Sequence, residues 1–265
     1  MIPQIIHYCW FGKKDIPLLT GKCIESWQKY FPGWEIKLWN ETNSPMQLAY
    51  MKNAFAESNF ANLSNYTRLF ALKEFGGIYF DTDIEVIRSF NFLEQYDCFV
   101  GFESGPLDVA LSINNAVIGA VKGHEFINEL LLEIENGFDG KEMAYLSSPG
   151  ITTKLLMQNG LTAYGEQDIK HVHIFSMKAF YPYAWNDLFT FSCLSEETYT
   201  IHYWDMSWKD KQHELVELIQ KNIELQNQIG NLVKQINRTG KGNVALKEWL
   251  RFNLKYVQSF FKKIE

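Results

Sequence analysis

Phe75-Gly76-Gly77-Ile78-Tyr79-Phe80-Asp81-Thr82-Asp83 is the stretch on which the reading of this chain turns. The two glycines stop a preceding helix, and three apolar β-formers then make a short strand. Two carboxylates separated by one residue follow at the strand's carboxyl end, before Ile84, Val86 and Ile87 begin another short strand. Two such carboxylates can offer oxygen to one hard divalent cation when the turn after the strand bends the chain. An Asp-X-Asp triplet by itself is a weak signal, because most are solvated turns, but solvated turns seldom follow an apolar strand of this kind.

Working outward, Ile2 to Phe11 is an apolar run rich in β-formers, followed after Pro17 by a helical pattern through Cys23, Ile24, Trp27 and Tyr30. Trp34 to Trp39 alternates as a second strand. Helices are expected over Pro45 to Glu57 and from Asn62 to Phe75, where Leu63, Tyr66, Leu69 and Phe70 recur at helical spacing. Further strands are expected at Cys98 to Phe102, Ala116 to Val121, His171 to Phe175 and Thr198 to Trp204, with helices near Glu125 to Glu135 and Gly150 to Gln158. Alternating elements imply a three-layer α/β domain, in which ligands gather at the carboxyl ends of the strands. Asp81 and Asp83 are therefore the leading site candidates.

The 265 residues are 46% apolar and 21% charged, with ordinary glycine and proline, which excludes a disordered, collagen-like or low-complexity protein. No stretch approaches the roughly 18 uninterrupted apolar residues of a membrane span, and Met1 to Trp10 lacks a basic leader, so an unprocessed cytoplasmic protein is expected. Cys9, Cys23, Cys98 and Cys193 stand singly, with no metal or redox spacing, and read as reduced structural residues. Residues 1–204 carry 14 Lys and Arg against 24 Asp and Glu, whereas 205–265 carry 11 against 7. An acidic body argues against nucleic acid as a partner, while a basic tail suits an anionic membrane surface.

Upstream of the acidic pair, Asn65 and Arg68 stand three apart on one helix face, close enough to point at one ligand, and an arginine beside a metal site suits phosphate or sugar hydroxyls. The run from Ala61 to Val86 resembles the signature of retaining, metal-dependent glycosyltransferases of the GT-A fold, and in particular glycosyltransferase family 32. That family includes bacterial capsule and lipopolysaccharide sugar transferases and is related to the catalytic domain of clostridial glucosylating toxins. Three blocks carry the resemblance over about residues 2–208: Ile5 to Gly12, Ser64 to Asp83, and Ile201 to Trp208.

The resemblance implies a GT-A-like nucleotide-sugar transferase, a Rossmann-like three-layer sandwich over 1–208, that transfers a sugar from a nucleotide-diphosphate donor, UDP-sugar favoured, to a glycan or lipid-linked acceptor. Asp81 and Asp83 would hold Mn²⁺ or Mg²⁺ against the diphosphate with His202 as third ligand. Trp10 would stack on the base, Asn65, Arg68 and Tyr79 would shape the sugar and ribose pocket, and Ser207 and Trp208 would contact or cover the diphosphate. Where the family pattern usually has Asp, this chain has Asn65, which keeps a carbonyl acceptor but loses the charge-assisted bond.

Plainer readings stand beside these. Trp10 alone reads as a core aromatic and His202 as a core histidine, while Arg68 could pair with Glu74 or Glu85 on a surface. Asp108, Asn114 and Asn115 read as turn formers, although they could face an acceptor. His171 and His173 read as an edge-strand pair without a carboxylate companion. For the whole chain, the alternatives are a nucleotide-sugar-binding scaffold without turnover or a nucleotide-sugar hydrolase.

Residues 209–265 read as a helical extension. Leu215, Leu218, Leu225, Ile229, Leu232 and Ile236 make a short heptad seam that would pair two copies or dock on the catalytic domain. A basic, aromatic-rich helix from Val244 would lie on a membrane, bringing the protein to the inner face of the cell membrane, or else pack as a terminal core helix.

Overall fold

The computed structural model describes residues 1–12, 14–106, 110–185 and 187–205. Nine strands, β1 (Ile5–Cys9), β2 (Glu35–Trp39), β3 (Gly77–Phe80), β4 (Ile84–Val86), β5 (Cys98–Phe102), β6 (Ile113–Ala120), β7 (Gln167–Ile169), β8 (Val172–Phe175) and β9 (Thr200–His202), are described. They alternate with helices α1 (Leu18–Tyr30), α2 (Ala49–Ala56), α3 (Phe60–Phe75), α4 (Glu125–Gly137), α5 (Ile151–Gln158) and α6 (Met177–Phe180). Seven strands form one sheet in the order β2-β1-β3-β6-β5-β8-β7, and β4 pairs with β9 in a separate antiparallel ribbon. Within the large sheet β1, β2, β3, β5 and β8 run parallel, and β6 and β7 oppose them. This is the expected GT-A-like α/β arrangement, with the carboxyl ends of β1, β3 and β5 on one edge.

Strand alternation divides the core between the two faces of the sheet. Tyr8 and Phe80 face α1, where Trp27 packs at 5.4 Å and 5.5 Å from their rings and donates its indole N–H to the Ile84 carbonyl at 2.7 Å. Phe90, Phe92, Phe99, Phe175 and Phe180 extend that face as a network of tilted and edge-on rings. On the opposite face Cys9, Tyr79, Val100 and Ile118 join Leu69 and Leu72 of α3 and Leu130 and Ile134 of α4 in the main apolar cluster. Burial pushes the Cys9 thiol up to about 12, so it serves as a small apolar residue.

The Gly76-Gly77 turn that delivers β3 is sterically specified. Both residues have positive φ (67° and 107°), and a Cβ on Gly77 would lie 2.4 Å from the Ile5 carbonyl oxygen. His7 locks the same turn from β1. Its Nδ1 accepts the Trp39 indole N–H at 3.1 Å, which leaves Nε2–H to donate to the Gly76 carbonyl at 2.8 Å.

Three differences from the sequence reading have local causes. β6 begins at Ile113, because Asn114 and Asn115 are strand residues whose amides are bonded to Glu103, Ser148 and Thr152 rather than turn formers. A π turn over Leu146–Gly150 with Pro149 inside it, together with the short β7 and α6, is too brief to leave a periodic signal. His171 sits in a positive-φ turn outside β8, and His173 is buried between Asp168 (2.9 Å) and Glu166 (3.3 Å), so the expected histidine pair without carboxylates is corrected.

The described residues fall into two units. One comprises Met1–Asp187 with Ser195–Tyr203 and contains everything above. The other contributes Leu188–Leu194 and residues 204–205, with a single 3₁₀ turn at Phe191–Cys193. Asp108 and the tail segments read as a heptad seam and a basic helix lie outside the described residues. Among the described residues no helix is long and apolar enough to cross a membrane.

Burial lowers the His7 pKa from 6.5 to about 4, against a smaller opposing effect of the Gly76 bond. As pH falls below 6.5 the unfolded chain takes up a proton that folded His7 refuses, so this stability contribution declines toward pH 4. Comparing urea unfolding of the wild type and His7→Gln, the stability gap is expected to shift by about 2 kcal/mol against the wild type between pH 7.5 and pH 5. A pH-independent gap would disprove the assignment.

Candidate active site

Asp81 leaves β3 with its backbone N–H donating to the Ala116 carbonyl at 2.8 Å, so the sheet ladder continues to the first acidic residue. Its Oδ1 accepts from the Tyr79 hydroxyl at 2.8 Å and from Arg68 Nη2 at 3.1 Å. Arg68 is held in turn by Nη1 on the Asn115 carbonyl at 2.7 Å and lies 4.6 Å from the Tyr79 ring centre. Burial is the largest single effect and disfavours the Arg68 charge, but Asp81, with Tyr79, Cys9 and Tyr181 adding, raises the guanidinium pKa overall. Burial likewise pushes the Tyr79 hydroxyl well above its ordinary value, which makes it a fixed donor.

The turn after β3 brings Asp83 to β9. Asp83 O accepts the Tyr203 N–H at 3.1 Å, Ile84 stands opposite His202 in the ribbon, and Asp83 Oδ2 lies 3.2 Å from His202 Nε2. One ligand atom each from Asp81, Asp83 and His202 falls within 4.8 Å of the others. Asp83 and His202 are 10% and 8% exposed, whereas Asp81 at 29% opens to solvent. Burial lowers the His202 pKa, but the charge and hydrogen bond of Asp83, with Asp81 and Glu103 adding, raise it overall. The pocket therefore favours positive charge, and two carboxylates with one imidazole are a donor set that fits Mn²⁺ or Mg²⁺.

The structure gathers Arg68, Tyr79, Asp81, Asp83 and His202 into one cluster. Trp10 follows β1, the parallel neighbour of β3, and so stands on the same sheet edge, half-buried, with its indole donating to the Lys14 carbonyl at 2.8 Å. Gly12 N–H donates to Glu41 at 2.6 Å and fixes this loop. Asn65 and Arg68, expected to aim at one ligand, bond in different directions. The Asn65 amide donates to Ala144 O (2.8 Å) and Ser147 Oγ (3.2 Å). With Asn59 at the N-cap of α3 and Asn62 in its first turn, whose amides donate to Glu142 O and Gly140 O, it forms a ladder at every third residue that clasps the segment entering the π turn. Arg68 pairs with neither Glu74 nor Glu85. Ser207 and Trp208 lie outside the described residues.

Sequence reading missed a buried ionic cluster behind the acidic pair. Lys22 of α1 lies 2.8 Å from Glu85, and the Tyr203 hydroxyl bonds to both. Glu85 is two residues from Asp83 and Tyr203 is next to His202, so the cluster pins both strands of the ribbon to α1. Lys22 gave no local signal because a lone lysine in a helix reads as a solvated residue. Lys22→Met is expected to destabilise folding by about 3–5 kcal/mol by leaving Glu85 buried without its cation, and Lys22→Met/Glu85→Gln by less. Urea denaturation of both variants checks this, and equal losses would contradict it.

Comparison with known proteins follows the same geography. Residues 18–100, which contain the acidic pair, match the family model for the glycosyltransferase sugar-binding region containing a DXD motif, and residues 119–222 match the alpha 1,4-glycosyltransferase conserved region. Inositol phosphoceramide mannosyltransferase 3 of Schizosaccharomyces pombe is 27% identical over 135 residues, covering 49% of this chain and 36% of that protein's length. The chain thus spans about a third of that relative. Among solved structures, the PaToxG glycosyltransferase is 23% identical with TM-score 0.47 over 59% of this chain and 69% of that one. A glycosyltransferase involved in glycosylation of the PBCV-1 major capsid is 11% identical with TM-score 0.42 over 80% and 97%. Two glycosyltransferase family regions thus match in tandem along the chain, and Asp81 and Asp83 lie inside the first, the sugar-binding region with a DXD motif.

Proposed function

We propose that this chain transfers a sugar from a nucleotide-diphosphate sugar, UDP-sugar favoured, to a glycan or lipid-linked acceptor of surface-polysaccharide synthesis, with a divalent cation and with retention of anomeric configuration. The observation that carries the reading is the convergence of Asp81, Asp83 and His202 at the carboxyl edge of the sheet. Those three residues would hold Mn²⁺ or Mg²⁺, which when bound supplies Lewis-acid charge to the leaving diphosphate. Arg68 and Tyr79 hold and aim Asp81, and Trp10 offers a half-buried indole at the same edge for the base. In this reading Asn65 would help to shape the sugar pocket, and Ser207 and Trp208 would contact or cover the diphosphate.

The name of the fission-yeast relative points to a mannosyl group and a lipid acceptor, which supports a lipid-linked acceptor here and adds GDP-mannose to the donors worth testing. The basic, aromatic-rich segment from Val244 would bring the active site to that acceptor at the inner membrane face. Co-sedimentation with anionic vesicles is expected for the full chain and lost on deletion of residues 240–265. Unchanged binding of the truncated chain removes the membrane role.

The central test is binding and turnover of a panel of UDP- and GDP-sugars with Mn²⁺, in wild type and Asp83→Ala. One donor is expected to bind only with the cation, and Asp83→Ala is expected to lose roughly 100-fold or more in turnover. Undiminished turnover in Asp83→Ala would falsify the metal site, and release of free sugar with no acceptor product would favour a hydrolase.

A further inference from the structure

Another carboxylate stands on the edge of the sheet that carries the acidic pair. Glu103 directly follows β5, which runs parallel to β3 because both oppose β6. Its backbone N–H donates to the Ser112 carbonyl at 2.8 Å, so the ladder holds it in place. Its Oε2 accepts from the Asn114 amide at 3.2 Å and from Ser112 Oγ at 3.4 Å. Asn114 is fixed in turn, since its Oδ1 accepts the Ala116 N–H at 2.7 Å, and the Ala116 carbonyl accepts the Asp81 N–H at 2.8 Å. A continuous run of hydrogen bonds thus links the Glu103 carboxylate to the residue that begins the metal site.

The electrostatics agree with that placement. The charges of both Asp81 and Glu103 act on the Tyr181 hydroxyl and on the His202 imidazole, whose rings lie 5.7 Å apart. Glu103 is not part of the metal-ligand cluster, and the two side chains that bond to its Oε2 are neutral. A partly exposed carboxylate oriented by neutral donors keeps strong acceptor capacity, and a pair of sugar hydroxyls is a matching donor.

We propose that Glu103, oriented by Asn114, recognises the transferred sugar by accepting hydrogen bonds from its ring hydroxyls. This rests on the nucleotide-sugar reading above. The experiment is calorimetric titration, with Mn²⁺ present, of UDP, GDP, UDP-glucose, UDP-galactose and GDP-mannose into wild type, Glu103→Gln and Asn114→Ala, with thermal melting of each variant. In the variants the free diphosphates are expected to bind within about 2-fold of wild type. The preferred nucleotide sugar is expected to weaken about 10-fold in Glu103→Gln and less in Asn114→Ala, in line with loss of a charge-assisted hydrogen bond. Unchanged nucleotide-sugar affinity in both variants overturns the proposal, as does equal loss of diphosphate and nucleotide sugar in variants that melt like the wild type. Failure of the wild type to bind any nucleotide with Mn²⁺ overturns the nucleotide-sugar reading and this inference with it, an outcome distinct from the other two.

Discussion

Two carboxylates and an imidazole held within 4.8 Å of one another cannot be placed without compensation, and the arrangement around them supplies it. Asp81 is balanced from below by the Arg68 guanidinium and the Tyr79 hydroxyl, and Asp83 by His202. Each partner comes from a different element, so the site exists only when α3, β3 and β9 are docked. Arg68 could not be buried beside the sheet without Asp81, and Asp81 could not be aimed without Arg68.

Rigidity behind the site follows the same economy of position. The Gly76-Gly77 turn lets β3 pass close to β1, and His7 ties that turn to Trp39. The Lys22, Glu85 and Tyr203 cluster joins α1 to the ribbon that carries Asp83 and His202, so packing on one face of the sheet sets the position of those two side chains at its edge. The asparagine ladder on α3 does the corresponding work for the segment entering the π turn. Polar groups buried in this way require full pairing, which makes them specific and leaves little freedom for alternative packings.

Much of the architecture was legible in the chain because strand and helix periodicities are local. The apolar strand ending in Asp81-Thr82-Asp83, the alternating Trp34 to Trp39 run and the α3 pattern each declare themselves within a few residues. Asn114 and Asn115 misled the reading because isolated asparagines prefer turns, and only the partners on Glu103, Ser148 and Thr152 make them strand residues. His173 reads as an open edge residue for a different reason: Asp168 and Glu166 reach it only through the tight β7–β8 pairing, which has no strong sequence signal.

By itself, the sequence determined the α/β alternation, the acidic pair at a strand's carboxyl end and the glycines that a close strand approach demands, since each depends on neighbouring residues. Tertiary structure decided that His202 meets Asp83, that Arg68 pairs with Asp81, that Lys22 is a buried ion and that Glu103 stands on the sheet edge that carries Asp81. Those pairings join residues far apart in the chain. Their energy depends on burial and on distances of a few ångströms, which the order of residues specifies only through the completed fold.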